Sequence, residues 1–272
     1  STLALVINVC LTLPWKDNPL GWTAPDHCVK VLYADYEVDY DIAQWNLKEI
    51  QRGMNLPTLP LSYRRCSIPL ADDLEQMQRH MAELRGEVLI IDSLGPAIGG
   101  DLKDPGTALR FTLALRQLKC STLIIGQTSK DRESKTKSVF GSTFFEYYAR
   151  NIFELRKVQE EGEDSFDIAL FNTYHNLGKR YQPQGFNLSF NGTGTHIKSQ
   201  VITAPELRER FGTQIRVQDL LKGGLLSIKD IASSLDLTEG NVRVVLHNLI
   251  QKGKVVKINK SFGLPSLEKE ER

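Results

Sequence analysis

Hydrophobic and polar positions alternate along this chain in two rhythms. EVLIIDS and STLIIGQTS are apolar without polar interruption. Each predicts a strand buried on both faces, as in a parallel sheet. KVLYADYE, a short β-branched and aromatic run, predicts a third strand, and LSYRRCSI a fourth. Between them the period lengthens. Residues 1–13 suit a helix that stops before Pro14, and DNPLGWTAPDH then reads as a loop. YDIAQWNLKEIQRG is amphipathic, with Gly53 expected as its C-cap. Leu70, Leu74, Met77, Met81 and Leu84 fall on one helix face. DPGTALRFTLALRQLK predicts a helix capped by Asp104, with Pro105 in its first turn. A short helix, TFFEYYAR, precedes three β-like runs: NIFELRKVQ, SFDIALFNTYH and GFNLSFNGTGTHIKSQ. Strands and helices in alternation, followed by antiparallel strands, imply an α/β domain with a mainly parallel sheet.

The texture changes near Gln214. Short helices, a tight turn and a basic strand pair follow, which places a domain boundary between residues 203 and 214. The expected division is a core over 1–203, a linker over 204–213, a small domain over 214–265 and a frayed tail over 266–272. At 272 residues the chain has room for one large and one small domain. It is 41% hydrophobic and 25% charged, as in an ordinary folded protein. A net charge of +1 excludes an overall basic coat for nucleic acid, though not local patches. Four cysteines without a CxxC pair argue against a zinc or redox site and for free thiols in a reducing, cytoplasmic setting. No apolar segment is long enough to span a membrane.

Chemistry gathers where strands end. One strand ends Asp35-Tyr36-Glu37, another at Asp92, and a third runs to Gln127-Thr128. In open α/β sheets, ligands bind beyond the carboxyl ends of the strands. If these three strands are neighbours, their tips share one rim. A carboxylate after an apolar strand can hold magnesium through water, a second can polarise an attacking water, and an amide can sense a phosphate. That combination suits nucleotide hydrolysis, in which positioning dominates.

These motifs resemble the ATPase core of the RecA-like superfamily, in particular its RepA-like and DnaB-like hexameric helicase branch. STLAL resembles the residues after Gly-Lys in a Walker A loop, VLYADYE the strand that ends in the catalytic glutamate, and VLIIDS Walker B. LIIGQTSK resembles the strand with the phosphate-sensing residue, although RepA-like members tend to carry His where this chain has Gln127. FGSTFFEYYARNIFEL and GKRYQPQGFNLSFNG resemble the segments that close the family's core. The resemblance implies ATP and Mg2+ as cofactors. It gives Glu37 the role of orienting water, Ser1 and Asp92 that of serving magnesium, Ser1 and Thr2 contacts to the nucleotide, and Gln127 that of reporting the γ-phosphate. Arg150, Lys179 and Arg180 become candidates for a charge that acts on a neighbouring subunit's nucleotide. The phosphate cradle and first strand are then expected upstream of Ser1, which makes the chain a fragment cut within Walker A.

The resemblance also implies a homo-oligomeric ring, such as a hexamer, acting on DNA and not on membranes. Lys130, Arg132, Lys135 and Lys137 charge a loop that in such rings lines the channel. SIKDIASSLDLTEGNVRVVLHNLIQKGKVVKI resembles a winged helix-turn-helix. Its helix faces are Ile228, Ile231, Ala232 and Leu235, then Val242, Val245, Leu246, Leu249 and Ile250, with Thr238 as N-cap of the second. In DNA-binding members that second helix enters the major groove. Asn241, Arg243 and His247 on it, with Lys257 and Lys260 on the wing, are candidate contacts. The expected fold is thus an α/β RecA-like P-loop core plus a small winged-helix domain. The expected function is that of an ATP-dependent DNA motor of replication or repair. The alternatives are an ATP-switched DNA-binding regulator or a recombinase-like ATPase that does not unwind.

Overall fold

The computed structural model describes residues 2–56, 61–127, 143–159, 161–208 and 211–265. They form two compact units, Ser1–Val201 and Ile202–Arg272. The first begins with helix α1 (Thr2–Thr12), then β1 (Val31–Asp35), α2 (Tyr40–Gly53), β2 (Ser62–Arg65), α3 (Leu74–Leu84) and β3 (Val88–Asp92). It continues through α4 (Leu94–Ile98), α5 (Pro105–Leu118), β4 (Ser121–Ile125) and α6 (Thr143–Tyr148). It ends in β5 (Asn151–Val158), β6 (Ser165–His175), β7 (Gln184–Asn191) and β8 (Gly194–Gln200).

Four strands pair in parallel in the order β2-β1-β3-β4. Side chains alternate across such a sheet with a period of two. In β3, Leu89 and Ile91 therefore enter a core with Met77 and Met81 of α3, Leu94 and Ala97 of α4, and Phe111 of α5. Ile90 enters the opposite core, with Leu5 and Val6 of α1 and Ile50 of α2. β1 divides in the same way, Leu32 and Ala34 on one side and Val31 and Tyr33 on the other. This double burial explains why these strands read as unbroken apolar runs. Fully burying one Leu or Ile contributes about 1.5–3 kcal/mol, so the two central strands weigh heavily in the stability of the unit.

STLIIGQTS departs from expectation. Its strand β4 is an edge of the parallel sheet, with Ser121 exposed and Thr122 to Ile125 half-buried. An apolar run reports affinity for a core, but not how many neighbours the strand acquires. The second sheet is antiparallel, in the order β5-β6-β7-β8, and lays Ile168, Phe186, Leu188 and Ile197 against the α1 side of the core. The run GFNLSFNGTGTHIKSQ splits into β7 and β8, joined where the Asn191 carboxamide oxygen accepts from the Thr193 N–H at 3.0 Å.

The connection from α1 to β1 is pinned by polar contacts. The Asn18 amide donates to the Trp15 and Trp22 carbonyls at 3.0 and 2.6 Å. The Trp22 indole N–H donates to Gln184 Oε1 at 2.8 Å, and its ring meets Phe186 edge to face. Asp104 caps α5 as expected, accepting from the Thr107 N–H at 2.7 Å.

Gly53 does not cap α2. It is the last helical residue, Met54 follows as the cap, and a Cβ on Gly53 would lie 2.1 Å from the Thr195 carbonyl oxygen. Gly194, at φ +127°, faces it from β8, and a Cβ there would lie 2.5 Å from the Gly53 nitrogen. The glycine serves a close approach of two backbones rather than a turn.

In the second unit, α7 (Pro205–Arg208) occupies part of the stretch read as a linker, with Leu207 buried. It is followed by α8 (Thr213–Leu221), β9 (Leu226–Ser227), α9 (Ile228–Leu235), α10 (Glu239–Gln251), β10 (Val256–Ile258) and β11 (Ser261–Gly263). The three strands form an antiparallel sheet in the order β10-β11-β9, in which β9 was not foreseen. Ile231, Val242, Leu246 and Leu249 meet Val217, Leu221 and Phe262 in one core. Ile250, expected inside, is 37% exposed: it lies one residue past Leu249, which turns it off the buried stripe. Ser227 and Asp230 form a capping box at α9, and the Thr238 hydroxyl accepts from the Asn241 N–H at 3.3 Å. No helix among the described residues is long and apolar enough to cross a membrane.

Gly53→Ala should destabilise the first unit by about 1–3 kcal/mol, because the clash is with backbone that cannot rotate away. Gly192→Ala, where a Cβ meets nothing within 4 Å, should stay within about 0.5 kcal/mol of the parent. Urea unfolding midpoints check both, and equal midpoints would refute the close-packing account.

Candidate functional site

The parallel register decides where the chemistry collects. Asp35 pairs with Asp92, and Asp92 with Ile125, so β1, β3 and β4 end level with one another. Glu37, Ser93 and Gln127 follow directly beyond those ends. The Ser93 hydroxyl donates to Glu37 Oε1 at 2.8 Å, and the Gln127 amide donates to the same oxygen at 3.1 Å. Glu37 and Gln127 are exposed, whereas Ser93 and Asp92 are buried at the floor. Glu37 Oε2 accepts no hydrogen bond from a described residue. Charge-assisted bonds on one oxygen fix the carboxylate while leaving the other to face solvent.

The floor is bound to the strands beneath. The Tyr33 hydroxyl donates to Asp92 Oδ2 at 2.5 Å. Burial, then the Asp92 charge, pushes the Tyr33 phenol well above its ordinary range, so it remains a donor. Asp35 is buried and takes a different part from Glu37. Its Oδ1 accepts from the Glu37 and Val38 N–H groups at 2.9 and 3.0 Å, and its Oδ2 accepts from the Tyr63 hydroxyl at 3.2 Å. This carboxylate closes the turn that carries Glu37. The Asp92–Ser93 peptide bond is cis.

The structure brings Glu37, Asp92 and Gln127 to one rim, with Asp35, a strand-end acid legible in the sequence, closing the turn beside them, and adds Ser93, Tyr33 and Tyr63, which sequence reasoning missed. Ser93 could have been found as the polar residue directly after Asp92. The tyrosine contacts could not, because their partners lie on neighbouring strands. Thr2 opens α1 and is half-buried. Arg150 is exposed just before β5, and its carbonyl accepts from the Asn176 N–H at 3.1 Å. Lys179 and Arg180 are exposed between β6 and β7, at that same end of the antiparallel sheet. None of the three basic residues bonds to Glu37. Ser1, Lys130, Arg132, Lys135 and Lys137 lie outside the described residues. In the second unit Asn241, His247, Lys257 and Lys260 are exposed. Arg243 is paired with Glu239 at 3.1 Å, one helical turn away.

Magnesium takes oxygen ligands and usually needs one or two carboxylates, the remaining positions going to water and substrate phosphates. Among the described residues no three acidic, His or Cys side chains gather to hold a metal alone. The rim supplies carboxylate and hydroxyl oxygens, a set that suits a cation arriving with phosphates.

Residues 1–133 match the AAA domain family. The matched stretch contains α1 to β4, and with them Glu37, Asp92, Ser93 and Gln127. The match suggests nucleotide-dependent activity for this stretch. No curated protein matches the chain. Among solved structures the chain is similar to a KaiC-like protein, PH0186, from the hyperthermophilic archaeon Pyrococcus horikoshii OT3. That likeness is at 12% identity and a TM-score of 0.45, over 65% of this chain and 77% of that one.

Asp35→Ala should cost about 1–3 kcal/mol, since it leaves the Tyr63 hydroxyl and two turn N–H groups without their acceptor. A lowered denaturation midpoint with an unchanged slope is the expected result. An unshifted midpoint would show that the turn closes without this carboxylate.

Proposed function

We propose that the chain carries the catalytic rim of an ATP-hydrolysing motor that acts on DNA. The carrying observation is the convergence of Glu37, Asp92, Ser93 and Gln127 beyond three adjacent parallel strands, within a stretch matched by an AAA domain. Asp92 would hold Mg2+ through water, with Ser1 and Thr2 at the nucleotide phosphates. Bound with ATP, such a cation would supply neutralisation of the phosphate charge. Glu37 accepts the proton of the attacking water at Oε2, while the Ser93 and Gln127 donors hold Oε1 still. Gln127, tied to Glu37, carries the state of the terminal phosphate to that base.

Exposed Arg150, Lys179 and Arg180 suit a charge that reaches the nucleotide of an adjacent copy in a ring, such as a hexamer. Lys130, Arg132, Lys135 and Lys137 would track DNA phosphates. The second unit would act as a winged helix. α10 would lie in the major groove through Asn241 and His247, with Arg243 once it leaves Glu239, and Lys257 and Lys260 would reach phosphates from the wing.

In the full-length gene product, Glu37→Gln should retain ATP binding and lower kcat by about 10²-fold or more. Single-turnover hydrolysis measures this, and undiminished turnover would remove Glu37 as the base. ATP-driven unwinding of a forked duplex is expected of a motor; sequence-specific binding without unwinding would indicate a regulator. Changing Lys257 and Lys260 together to Ala should reduce the slope of log affinity for duplex DNA against log salt by about 2. An unaltered slope would assign the second unit to protein docking.

A further inference from the structure

The carboxylates of the rim are held from below by a device that occurs twice, one strand apart. Tyr63 of β2 stands in register with Tyr33 of β1, and its hydroxyl reaches Asp35, two residues beyond that partner. Tyr33 stands in register with Ile90 of β3, and its hydroxyl reaches Asp92, again two residues beyond. The two rings stack with centroids 6.2 Å apart and planes 15° from parallel. Both therefore lean the same way, each crossing to the next strand. In each case the hydroxyl is the donor and the carboxylate oxygen the acceptor. Phenylalanine would fill the same space. What the oxygens add is orientation: a donor on one carboxylate oxygen selects one rotation of that group.

We propose that Tyr33 and Tyr63 are positioning residues of the nucleotide site. Tyr33 fixes the Asp92 carboxylate for the cation that accompanies ATP. Tyr63 acts through Asp35, whose other oxygen closes the turn that aims Glu37. This rests on the ATPase reading, and it divides that site into two supports with separable effects. Loss of a partner outside the first coordination layer typically weakens metal affinity 10- to 100-fold. Loss of aim at a catalytic base lowers turnover instead.

The test compares Tyr33→Phe and Tyr63→Phe with the parent, all as full-length gene products. Affinity for Mn2+–ATP is read by water-proton relaxation enhancement, turnover is read against Mg2+ concentration, and folded fraction by circular dichroism. Tyr33→Phe should weaken Mn2+–ATP binding about 10-fold or more and raise the Mg2+ requirement in parallel. Tyr63→Phe should leave Mn2+–ATP binding unchanged and lower kcat about 10-fold or more at constant KM. Unchanged metal affinity in the first variant, or unchanged kcat in the second, overturns that arm. Losses that merely follow the folded fraction overturn both. A parent chain that binds Mn2+–ATP without turning it over sinks the ATPase reading, while weakened binding in Tyr33→Phe still upholds the Tyr33 arm. A parent that binds no Mn2+–ATP sinks both.

Discussion

The in-register parallel pairing of β1, β3 and β4 is the constraint from which the rest follows. It sets Asp35 level with Asp92 and Asp92 level with Ile125. Because side chains alternate, a slip of one residue would exchange the two faces of β3. Leu89 and Ile91 would then point into the α1 side of the core, and Ile90 into the side packed by α3 and α5. The two cores are thus what fix the position of the carboxylates.

Much of this was legible in the residues themselves. VLYAD and VLIID are both central strands; VLIID read as one, because a segment buried on both faces has no polar alternation, whereas VLYAD read only as a strand. Their terminal acids announced a rim. β4 was less legible: the same kind of run arose at a sheet edge, since strand neighbours are set by pairing rather than by local composition. Gly53 was misread because a helix cap and a close backbone approach ask for the same missing side chain. β9 is two residues long, and its partner Ser261 lies more than thirty positions away. The parts of Tyr33, Tyr63 and Asp35 depend on lateral contacts between strands, which no local pattern encodes.

Within the rim the acids have different tasks because their surroundings differ. Asp35 is buried and spends its oxygens on backbone N–H groups and a tyrosine. Glu37, two residues on, stands in solvent with one oxygen held by side-chain donors. A stretch of alternating acids, Asp35, Glu37, Asp39 and Asp41, is thereby sorted into a structural carboxylate, a candidate base, a partner for Arg65 and a helix-start charge. The sorting comes from the bend after β1 and not from residue type.

The meeting of Gly53 and Gly194 has a consequence for how this chain can vary. In most of a core, an enlarged side chain can be offset by a smaller one opposite, and such exchanges let sequences drift while a fold persists. Here the opposing atoms are main chain on both sides, so there is nothing to shrink. Drift is blocked at both positions together, and α2, which starts three residues past Glu37, keeps a fixed seat on β8 however far the surrounding surface diverges.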